Sequence, residues 1–167
     1  MTIADQLNLI KSGLDAFAQE NKAQIKIAHD VPHLFKILGD GPGACRVAIL
    51  FAGEVCRGGD LHQDISGRVD RKFWVAFSRG YTLESYSGKS LVEGVAGGKP
   101  MFDLIEEGRT ALREILFTGT DEPIPYYTST ELLTFEGVTL DAYRVEIIVA
   151  ADIGNNLDTP EPSFPET

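Results

Sequence analysis

The stretch "GRVDRKFWVAFSRG", residues 67–80, decides how this chain is read. Val69, Phe73, Val75 and Phe77 share one parity, while Lys72, Trp74, Ala76 and Ser78 share the other. Successive side chains of a strand point to opposite faces, so the alternation predicts a strand with one buried face. Arg71 and Arg79 interrupt the apolar parity on either side of its centre. As strand-end charges, Arg68, Arg71, Lys72 and Arg79 are expected opposite Glu146 or Asp141 of a neighbouring strand, in exposed pairs worth ~0.2–1 kcal/mol each. Arg68, Arg71, Lys72 and Arg79 beside Phe73, Trp74 and Phe77 also have the composition of a single-stranded nucleic-acid face. A net charge of −10 weighs against that reading, because phosphate binding needs Lys and Arg gathered on one surface. Trp74, on the mixed face, is a candidate for a subunit contact, where large aromatics supply area.

Working outward, "CRVAILFAGEV" before this strand is nearly continuous in apolar residues, which suits a central strand covered on both faces. The glycine-rich, polar "CRGGDLHQDISG" between them reads as a long hairpin loop. Upstream, Ile3, Leu7, Ile10, Leu14 and Phe17 recur at spacings of four and three and predict a helix over 3–21, capped by Thr2 with Asp5 as an imperfect capping box. "QIKIAHD" reads as a short strand and "GDGPGACR" as a turn. Downstream, "SLVEGV" suits one turn of helix. Pro100 opens a second helix at its first position, with Met101, Leu104, Ile105, Leu112, Ile115 and Leu116 on the apolar face and Gly108 on the same stripe. "PYYTSTELLTF" and "VTLDAYRVEIIVAAD", separated by "EG", read as a hairpin with Tyr143, Val145, Ile147 and Val149 on one parity.

The expected fold is therefore α+β: a mixed or antiparallel sheet of four to five strands packed against two helices in one domain, residues 1–152. Residues 153–167 carry three prolines and no basic residue, and read as a flexible acidic tail able to reach a neighbouring subunit. No apolar run approaches the ~18 residues a membrane span needs, and the N-terminus lacks the pattern of a secretion signal, so a cytoplasmic site of synthesis and residence is expected. The two cysteines, Cys45 and Cys56, are expected as free thiols.

Chemical motifs are weak. His29 and His33 in "HDVPH" have helical metal-ligand spacing, but Pro32 disfavours a helix and no third ligand is adjacent. "GKS" at 88–90 lacks the glycine of a phosphate-binding loop, since Leu83 stands in its place; "GDGPG" and "GVAGG" do not make a dinucleotide fingerprint. Cys56 and Ser66 with His62 as base lack the surroundings of an activated nucleophile. No catalytic residue, cofactor or metal is expected.

The order of elements, carried by "IADQLNLIKSGLDAFAQ", "RVAILFAGE", "RVDRKFWVAFSRG", "MFDLIEEGRTALREILF" and "AYRVEIIVA", resembles that of the tail terminator and tail-completion proteins of tailed bacteriophages. The resemblance covers residues 1–152 and rests on layout, with no diagnostic motif. It implies a structural virion protein, not an enzyme: a cyclic homo-oligomer, often a hexamer, assembled in the host bacterial cytoplasm. The ring would cap the tail tube protein, meet a head-tail connector protein, and let DNA pass without specific binding. Arg57, Asp60, Arg68, Trp74, Arg79, Tyr81 and Lys89 are the expected interface residues. Another neck or baseplate protein would have similar composition. A small α+β ligand-binding or hydrolytic domain, with Cys56, His62 and Asp64 in its pocket, is the alternative of a different class.

Overall fold

The structure is a computed structural model that describes residues 1–41, 44–56, 68–82, 92–94, 98–118, 123–135 and 138–152. Thr2 starts the first helix, α1 (Ile3–Gly13), with a complete capping box: the Asp5 N–H donates to Thr2 Oγ1 at 3.1 Å and the Thr2 N–H to Asp5 Oδ2 at 2.9 Å. The expected continuous helix over 3–21 is interrupted at Leu14, whose N–H bonds to Lys11 O three residues back and tightens the turn before α2 (Asp15–Asn21). Ile10, Leu14 and Phe17 stay buried across the break, so the apolar stripe is preserved.

Strand β1 (Gln24–Ala28) is followed by α3 (Val31–Leu38), a helix that the sequence disfavours at Pro32. Pro32 lies in the first turn, where a missing N–H costs nothing, and Asp30 caps the helix by accepting from the His33 N–H at 2.8 Å. The helix is also required by topology. β1 runs parallel to β2 (Arg46–Cys56), and parallel neighbours need a crossover.

β2 pairs antiparallel with β3 (Arg68–Thr82), which pairs with β5 (Val138–Asp152), itself the partner of β4 (Tyr126–Phe135). The single mixed sheet has the order β1-β2-β3-β5-β4, so β3 is the centre and β2 the strand beside it. As expected, β2 is covered on both faces, by Val47 and Ile49 on one and Ala48 and Leu50 on the other.

On one face α1, α2 and α4 (Met101–Arg113) pack over Val47, Ile49, Phe73, Val75, Phe77, Val145, Ile147 and Val149. On the other, Leu34, Ile37 and Leu38 of α3 cover Ala28, Ala48, Leu50, Ala76 and Ala142. The expectation that β3 buries a single face is therefore corrected: Ala76 and Ser78 are fully buried beneath α3, whose approach the row of alanines permits. Pro100 is the cap of α4 and Met101 its first residue. Leu116 is 62% exposed, because the helix ends at Arg113 and Leu116 leaves the stripe. The hairpin β4–β5 forms as expected, with its turn residues 136–137 outside the described residues. Residues 153–167, read as the tail, the interior of the β2–β3 loop, and 90, 91 and 95 of "SLVEGV" also lie outside the described residues.

Candidate interaction surface

Beyond the cover of α3, the sheet carries a polar cluster centred on Trp74. The strand register sets Trp74 opposite Glu146, and the indole Nε1–H donates to Glu146 Oε2 at 3.0 Å. The Thr128 hydroxyl donates to Glu146 Oε1 at 2.9 Å, and the Arg144 guanidinium lies 3.9 Å from the Trp74 ring centroid. Arg144 Nη2 in turn donates to Glu131 Oε2 at 2.6 Å. Partial burial pushes the Glu146 carboxyl up, but the hydrogen bonds from Thr128 and Trp74, helped by Lys72 and Arg144, hold it below the ordinary glutamate value. Three strands thus present a pinned, half-buried aromatic framed by both signs of charge.

Arg71 and Arg79 of β3 are buried within their own chain, which corrects the expectation of exposed strand-end pairs for these two. Arg71 donates through Nη1 to the Met1 carbonyl and to Gln6 Oε1, both at 3.0 Å, and through Nε to Glu54 at 3.3 Å, joining the N-terminus to the end of β2. Arg79 Nη1 donates to the Lys99 carbonyl at 3.2 Å and fixes the approach to α4.

The sheet ends are the open parts of the molecule. β2 is buried through Leu50 and becomes exposed from Glu54 onward, past a bulge at Phe51/Gly53 where Gly53 takes φ +114°, a conformation glycine tolerates. Val55, at the tip, is 55% exposed. At one side of the sheet β4 presents Tyr126 and Leu132 to solvent, with Ile124 just before it, and carries bulges at Tyr127/Ser129 and Leu132/Thr134. At the other side lies the short β1, with Gln24 and Lys26 exposed.

Between α2 and α4 runs a groove of about 400 Å³ whose lining includes Glu20, Glu106, Glu107 and Glu114. Lys99 bonds Glu107 at 2.7 Å and Glu20 at 3.2 Å at its rim. Burial pushes the Cys45 thiol up to about 11, so it is an inert core residue.

Of the expected interface residues, Trp74 lies on the polar cluster and Arg79 beneath the surface. Arg68 and Tyr81 are on β3, with only their backbone described, and Arg57, Asp60 and Lys89 are outside the described residues. Cys56 is exposed at the end of β2, while His62, Asp64 and Ser66 are also outside. His29 and His33 stack at 4.2 Å between ring centroids, and among the described residues no group of three or more His, Cys, Asp or Glu could hold a metal ion. Arg144, Glu131 and Thr128 were not singled out from sequence, because the register of β5 on β3 brings Arg144 to Trp74 and that of β4 on β5 adds Glu131 and Thr128. Among the described residues no helix is long and apolar enough to cross a membrane. These features define an α+β protein with a five-stranded mixed sheet that carries a polar cluster around a half-buried tryptophan. No protein-family model matches the chain, and no curated protein matches it.

Proposed function

We propose that the protein is a structural component of a tailed-phage virion, a tail terminator or tail-completion subunit that closes into a ring between tail tube and head connector. The observation that carries this reading is the pair of unlike strands, β1 and β4, that form the opposite edges of the sheet among the described residues. A cyclic assembly needs two different patches per subunit, placed so that each copy joins the next. The exposed end of β2 and the Trp74 cluster add surface toward neighbours in a stack. The glutamates of the α2–α4 groove suit the wall of a channel through which DNA slides without sticking, since like charges repel.

Immunogold labelling of tailed virions with antibody against the full chain tests the position. Label at the head-tail junction is expected. Label at the distal end would move the subunit to the baseplate, and virions without label would overturn a virion role.

A further inference from the structure

We infer that the ring is closed by strand pairing, the β4 edge of each subunit running antiparallel to β1 of the next. The inference rests on the ring reading above and names its interface. Strand directions supply the first argument. β1 is parallel to β2, and each later neighbour in the sheet is antiparallel to the one before it, so β4 runs opposite to β1 within the subunit. A copy rotated about an axis near the strand direction keeps its strand sense, and its β1 then meets β4 antiparallel.

Length supplies the second. The two bulges of β4 leave one regular stretch, 129–132, paired with 143–146. Bulges block long edge pairing and leave room for a short strand. β1 has five residues, and its last four fit.

Side-chain chemistry supplies the register. Lys26 and Ala28 lie on the α3 face of the sheet, opposite Ala48 and Leu50, and Ile25 and Ile27 on the other, opposite Val47 and Ile49. Glu131 pairs with Arg144 and Ser129 with Glu146 on the α3 face, whereas Leu132 and Thr130 pair with Tyr143 and Val145 on the other. With Lys26 opposite Glu131, Ala28 meets Ser129, Ile25 meets the exposed Leu132, and Ile27 meets Thr130. Every pair matches in face and character, and Glu131 becomes the bridge between Lys26 of the next copy and its own Arg144. A shift by two residues would bring a bulge into the pairing and separate the two charges. Among the described residues no strand occupies either edge.

The test is disulfide trapping in the full chain with Cys56→Ser, Lys26→Cys and Glu131→Cys together, run beside controls that carry one introduced thiol each and imaged by negative stain. Directly opposite antiparallel residues have Cα atoms ~4.5–5.5 Å apart, within disulfide range. Rings and a reducible ladder of covalent multimers from the chain with both introduced thiols are expected, with controls stopping at dimer and the buried Cys45 unreactive throughout. Rings without a ladder would overturn the edge pairing and leave the ring reading standing. A ladder on open filaments would support the pairing and overturn closure. Neither rings nor ladder, alone or with tail tubes added, would overturn both. In a second arm, Lys26→Glu should lower assembly at least tenfold and Lys26→Glu with Glu131→Lys should restore it; rescue that fails while single Lys26→Glu still assembles contradicts the register.

Discussion

Gly108 of α4 lies flat against the ring of Phe77: a Cβ at Gly108 would stand 2.4 Å from Phe77 Cζ. Phe77 is fully buried and packs edge-on against Phe17 at 5.6 Å, so its ring has no room to yield. Gly108→Ala gains ~1 kcal/mol of helix propensity but overpacks the core at a cost of ~1–3 kcal/mol. The net expectation is a lower urea midpoint, and Gly108→Leu should fail to fold.

Arg71 joins the N-terminus, Gln6 and the end of β2 from a buried position. Arg71→Met keeps much of the packing but strands the buried Gln6 carbonyl, at ~1–3 kcal/mol. Glu54→Gln should cost under ~1 kcal/mol, because the Glu54 side chain is 40% exposed. Chemical denaturation of the two variants should show this order.

Trp74 is the sole tryptophan and reports on Glu146 directly. The folded carboxyl titrates below its ordinary value of 4.5, so the stability it contributes is present above that value and lost as pH falls through the folded one. Trp74 emission should hold steady from neutrality down to the ordinary carboxylate range and shift below it. Glu146→Gln should abolish that acid transition.

The cap of α3 gives a smaller, cleaner effect. Asp30→Ala removes the acceptor for the His33 N–H and should cost ~1 kcal/mol, read in thermal melts, with Asp30→Ser nearly neutral.

The strands and outer helices were legible because their patterns are local: parity in 69–77 and 143–149, and the spaced stripe ending at Phe17. α3 was missed because Pro32 was weighed as a breaker when Asp30 two residues earlier makes it a first-turn proline. The second buried face of β3 was missed for a related reason. Ala76 and Ser78 carry little hydropathy, yet both are fully buried, Ala76 in the cluster that the crossover helix closes. Of the candidate surface, Trp74 stood out by type, but its partners Arg144 and Glu146 are about 70 residues away and meet it through register alone.

The ring is the central claim, and mass settles it most directly. Light scattering on the purified full chain at high concentration, with negative-stain images of the same sample alone and with tail tubes added, should give one closed multimer with a central hole. A monodisperse monomer or dimer that forms no ring in either condition would contradict it.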